Sequence, residues 1–205
     1  MPLMDVRVAS QGEAIGPVLL VTGVGAAAGS RAAAAALACA ASEPDRAALL
    51  VDLGEGRTLR STLVATSGAR ALEERLVAHL PEAAVASRGC FARLSLPPLP
   101  ESLDAVAAAL PLARESAAIV HLPPPLLRPL LAEPRIRPTA AVLRADLSGE
   151  RALTALTVRD LRDLGLRAAV LKRPPGRLAG HAALLGALPE PGSVIRRAWT
   201  VVNHG

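Results

Sequence analysis

Tyrosine is absent from this 205-residue chain, and phenylalanine and tryptophan occur once each. A base-stacking binder of single-stranded nucleic acid needs aromatic platforms, so that class is excluded. Lysine is almost absent as well: Lys172 stands against 22 arginines. That ratio, with abundant Ala, Gly and Pro, reads as the codon bias of a GC-rich genome. The arginines are scattered, with no dense block or stripe, so the net charge of +5 does not mark a DNA-binding face. The two cysteines, Cys39 and Cys90, have no metal-ligand spacing and call for no oxidising compartment. Cys39 is expected to be a small buried hydrophobe. The N-terminus, MPLMDVRVASQGEAIG, lacks the apolar core of a signal peptide. No uninterrupted apolar run is long enough to span a membrane, so a cytoplasmic location is the default expectation.

What the chain has is Ala, Leu and Val. These suit a core of closely packed helices and sheet, within one domain. Residues 17–22 form an apolar run that predicts a buried strand. Gly23, Gly25 and Gly29 break it, and from Ser30 to about residue 42 the chain is nearly pure alanine, the best helix former. Further strands are expected at 47–51, 91–96, 117–122, 139–144, 167–171 and 186–188. Helices are expected at 69–80, 101–114 with Pro111 kinking or ending it, 126–131, 148–164 stopped by Gly165, 178–185 and 193–202. This alternation predicts a single-domain, three-layer α/β/α fold with a mostly parallel sheet. Residues 1–16 read as an arm or an edge strand at 6–9, and 17–205 as the domain.

A strand, a glycine-rich turn and a helix in that order make a phosphate cradle. Glycines allow close backbone approach, and the helix start offers N–H groups and a positive dipole end. A phosphate-binding loop also needs Lys followed by Ser or Thr at the helix start. Those places hold Ser30 and Arg31. Asp52 falls at the carboxyl end of a buried strand, the edge where open α/β sheets bind ligands. It is expected either to face the cradle as a retained acid or to cap the following loop, GEGR, through backbone N–H groups. His121 closes another buried strand and is expected to end it with a ring satisfied by backbone. His79, His181 and His204 show no triad or metal pattern, and no serine elbow or carboxylate pair suggests hydrolysis.

Taken in order, these segments resemble the MinD/ParA branch of P-loop ATPases. VLLVTGVGAAAGSRAAAAALA resembles that family's first strand, P-loop and helix, and ALLVDLGEG its second strand with the family's aspartate, here Asp52. AAIVHLPPP resembles its Walker B strand, and ALPEPGSVIRRAWTVVNHG its closing Pro-acidic turn and helix, with Pro189 and Glu190 at the turn. The resemblance puts Gly25 at the place of the signature lysine and Ser30 at that of the P-loop lysine. It puts Arg31 at that of the magnesium-binding Ser/Thr, His121 at that of the Walker B aspartate, and Lys172 at that of an adenine-contacting asparagine.

The resemblance therefore implies a vestigial nucleotide cradle of Gly23, Gly25, Gly29, Ser30, Arg31, Pro189 and Glu190. No resident cofactor or metal is expected, with weak ATP or ADP binding as the alternative. Asp52 is the only retained catalytic candidate. The function implied is that of a non-hydrolysing localisation or scaffold factor for division, partition or pilus-secretion machinery, similar to the TadZ/CpaE-like branch. Such a factor would dimerise or meet a protein partner at the carboxyl edge of the sheet. The alternatives are an ATPase with an atypical site and a DNA-associating partition-type regulator.

Overall fold

The computed structural model describes residues 16–24, 29–43, 45–54, 64–113, 116–145 and 151–172. Seven strands form one sheet: β1 Val18–Val24, β2 Ala48–Asp52, β3 Ala84–Arg88, β4 Phe91–Ser95, β5 Ala118–His121, β6 Ala140–Ala145 and β7 Arg167–Lys172. Their order is β3-β4-β2-β5-β1-β6-β7. All neighbours pair in parallel except β3 and β4. The helices are α1 Ser30–Ala41, α2 Ser67–His79, α3 Ser102–Ala109, α4 Leu127–Ala132 and α5 Arg151–Asp163.

The two faces of the sheet are covered differently. Leu19, Val21, Leu50 and Ile119 point to the side packed by α1, whose Ala33, Ala34, Leu37 and Ala38 meet them. Leu20, Leu49, Val51 and Val120 point to the other side, against Leu72 and Leu76 of α2, Val106 of α3, Leu130 of α4 and Leu161 of α5. Alanine on α1 removes side-chain bulk between helix and sheet, so the helix start is held close to the strand ends.

The α/β class, the mostly parallel sheet and the helices on both faces agree with expectation. So do the strands at 18, 48, 118, 140 and 168 and the stop at Gly165, whose φ is 78°. One element departs from it. The antiparallel strand β3 forms a hairpin with β4 across Gly89, whose φ of 53° makes the tight turn. AVASR is only partly buried along its length, so it lacks the continuous apolar run that marks the inner strands. Helix α3 ends at Ala109 and a 3₁₀ turn, Leu110–Ala113, carries Pro111. The expectations for 1–15, for Gly25, and for the helices and strand of 178–202 with Pro189 and Glu190 lie outside the described residues.

Candidate functional site

Strands β1, β2 and β5 end side by side. Register pairs Asp52 with His121 across β2 and β5, and Val21 with His121 across β1 and β5. Asp52 and His121 share the α1-facing parity of Leu50 and Ile119, so both side chains sit under the start of α1. There Gly29, with φ 118°, turns the chain into the helix and provides no side-chain cap. Glycine is favoured at this angle because other residues pay a steric cost there.

The side chains form one connected cluster. Ser30 Oγ lies 2.9 Å from His121 Nε2, and His121 Nδ1 lies 2.8 Å from Asp52 Oδ1. The backbone N–H of Gly54 donates to the same Asp52 oxygen at 3.0 Å. Arg31 Nε bridges both carboxylate oxygens, at 3.2 Å from Oδ1 and 2.9 Å from Oδ2. Arg93, from β4, donates to Oδ2. Ser30, Asp52, Arg93 and His121 are all buried. Burial works to raise the Asp52 carboxyl, but the hydrogen bond from His121 and the charges of Arg93 and Arg31 outweigh it and bring the pKa down to about 2. Burial lowers the pKa of Arg93, and Asp52 opposes that shift.

At neutral pH Asp52 is therefore an ionised acceptor. In the tautomer that carries its proton on Nδ1, His121 donates to Asp52 and leaves Nε2 to accept from the Ser30 hydroxyl. Asp52 caps its own loop through the Gly54 N–H and lies beneath the start of α1, beside Arg31. The expectation for His121 is corrected. Its ring is held by Asp52 and Ser30, since the parity of β5 turns it towards α1. Ser30, His121 and Asp52 are separated in sequence and meet only through strand register and the placement of α1.

Arg93 was not among the sequence candidates. A charged residue inside FARLS, on a strand flanked on both sides, is the signal that could have found it: a buried guanidinium needs a buried carboxylate. Gly54 was also missed. A Cβ there would lie 2.5 Å from Arg31 Nη2 and 3.0 Å from both Asp52 Oδ1 and His121 Cε1. On the opposite face, an apolar cleft of about 470 Å³ lies between the end of β1 and helices α4 and α5, lined by Thr22, Val24, Leu131, Leu156 and Leu161.

The cluster does not fit a magnesium–nucleotide site. Both oxygens of its one carboxylate are taken by guanidinium, imidazole and backbone donors, so none is left to a hard cation. Among the described residues no group of three His, Cys, Asp or Glu side chains converges. No described helix is long and apolar enough to cross a membrane.

No protein-family model and no curated protein sequence matches the chain. Solved structures do. A ParA family ATPase from Chlorobium tepidum TLS superposes with a TM-score of 0.57 at 14% identity, over 90% of this chain and 98% of that one. The MinC:MinD cell division protein complex of Aquifex aeolicus gives 0.51 at 16% identity, over 92% and 78%. The kinase domain of the Escherichia coli tyrosine kinase ETK gives 0.51 at 19% identity, over 78% and 68%. At such identities the likeness is one of architecture, and the architecture is the MinD/ParA-like P-loop fold.

Proposed function

We propose that this chain is a MinD/ParA-like protein that does not hydrolyse ATP. It acts as a localisation or scaffold factor, meeting a protein partner or a second copy at the carboxyl edge of its sheet. The observation that carries this reading is the pairing of Asp52 with both Arg31 and Arg93. Phosphoryl transfer rests on positioning and on charge neutralisation by lysine and Mg²⁺. Here Ser30 occupies the place of the P-loop lysine, Arg31 that of the Mg²⁺-binding hydroxyl, and the retained acid is closed off by two guanidinium groups. A triphosphate would have to displace Arg31 from Asp52 and would expose a buried carboxylate to its own negative charge. A protein surface makes no such demand, because among the described residues Asp52 is already paired with Arg31 and Arg93 within the chain.

The test is phosphate release from ATP and Mg²⁺ by the full chain, beside Asp52→Asn, with light scattering over a micromolar concentration series. No release above the blank is expected, with mass rising with concentration or on adding the partner. Turnover near ~1 per second that Asp52→Asn abolishes would overturn the reading.

A further inference from the structure

We propose that Ser30, His121 and Asp52 form a serine-nucleophile site that transfers small acyl groups from esters or thioesters. Ser30 is the nucleophile, His121 the general base and Asp52 the positioning residue. The inference is independent of what docks on the sheet edge, since it concerns the chemistry of the buried cluster alone.

The geometry carries it. The serine oxygen is on Nε2 of the imidazole at 2.9 Å and the carboxylate on Nδ1 at 2.8 Å. These are the atom roles of the Ser–His–Asp relay, which recurs on unrelated folds and is recognised by geometry rather than by sequence position. A hydrogen-bonded nucleophile and base, with the base oriented by a third group, is the general signature of an activated hydroxyl. Ser30 is the first residue of α1, directly after Gly29 in the left-handed region. The helix N-terminus points backbone N–H groups and a positive dipole end at the same edge, where an oxyanion would form.

Room at the cluster sets the substrate class. Ser30 keeps only 8% of its surface exposed. The Gly54 backbone passes so close that an added methyl would already press on Asp52, His121 and Arg31. This burial favours a compact acyl group such as acetyl over a bulky one. The two guanidinium groups outnumber the one carboxylate, which favours an acyl carbonyl that becomes negative over a substrate carrying an ammonium.

The reaction balances without a cofactor. Ser30 Oγ adds to the carbonyl carbon while its proton passes to His121 Nε2. The bond to the leaving alcohol or thiol breaks and takes that proton back. Water then attacks the acyl-serine, gives its proton to Nε2, and releases the carboxylic acid with Ser30 restored. Asp52 keeps Nδ1–H in place throughout.

The probe is a small alkyl fluorophosphonate, whose P–F bond breaks as the Oγ–P bond forms, and labelling is mapped by peptide mass. Native full-length chain is expected to be labelled on Ser30 and heat-denatured chain not. His121→Gln, folded by circular dichroism, is expected to label about 100-fold more slowly or less. With p-nitrophenyl acetate, on a Cys39→Ser, Cys90→Ser background that removes thiol esterolysis, Asp52→Asn is expected to lower kcat at unchanged KM. Native chain that stays unlabelled, or is labelled only at other residues, overturns the proposal whether or not the variants fold. So does a folded His121→Gln that labels at the wild-type rate, or an Asp52→Asn that moves KM alone.

Discussion

Arg93 reaches Asp52 diagonally across two strands: the β2–β4 register sets Leu50, not Asp52, opposite it, yet its guanidinium ends on Asp52 Oδ2. Among the described residues, Nε and Nη1 of Arg93 are buried without a hydrogen-bond partner. The ion pair thus provides the main return for burying this cation. Removing one partner of a buried pair leaves the other uncompensated and costs about 3–5 kcal/mol. Asp52→Ala, which strands Arg93, is expected to lower unfolding free energy in urea by about that much. Arg31→Ala removes a side chain that is 20% exposed and is expected to cost only about 1 kcal/mol. Equal losses from the two would show that Arg93 is not the charge that depends on Asp52.

Acid stability follows from the same carboxylate. Its folded pKa of about 2 lies below the ordinary 3.8. Its contribution to stability is fully present above that ordinary value and is lost as pH falls through the folded one. The gap is worth about 2 kcal/mol. Urea midpoints measured between pH 5 and pH 2 are expected to fall steeply for wild type. Asp52→Asn is expected to fall less by that amount.

Much of this was legible from residues. The glycine-to-alanine transition at 23–42 placed β1 and α1, and short apolar runs before DLG and HLP placed Asp52 and His121 at strand ends. The joining of those ends was not legible. Ser30, Asp52, Arg93 and His121 lie on four separate elements, and their contact depends on strand order and on the parity by which alternate residues face α1. Composition says nothing of parity until the register is known. Strand β3 was missed for a different reason: an edge strand needs no apolar run, so AVASR reads as loop.

Gly54 offers a way to perturb the cluster without removing a charged group. Its methyl would force Arg31 aside and press on Asp52 and His121, whereas a methyl on Gly16 would meet the Ser116 backbone oxygen at 2.0 Å, remote from the cluster in the sheet. Both alanine variants are expected to lose about 1–3 kcal/mol by overpacking. Only Gly54→Ala is expected to change fluorophosphonate labelling of Ser30. An equal change in both would mean that labelling reports general stability.

The last prediction concerns the thiols. Cys39 on α1 and Cys90 in the β3–β4 turn pack on the same α1-side core and hydrogen-bond each other. That bond from Cys39 lowers the Cys90 thiol below its ordinary range, against the opposing effect of burial and with help from Ser42. The same bond, together with burial, pushes Cys39 up. The pair therefore favours the proton on Cys39 and thiolate character on Cys90. Since thiolate is the nucleophile, iodoacetamide should modify Cys90 at a rate that levels off at lower pH than for an ordinary thiol. Cys39 should stay unmodified at such pH. Replacing Cys90 by serine removes the partner thiolate, so Cys39 is then expected to begin reacting at lower pH than in wild type. Peptide-resolved alkylation rates between pH 5 and 9 check both points. A Cys90 rate that keeps rising to pH 9 as an ordinary thiol does would show that the two sulfurs do not share their proton.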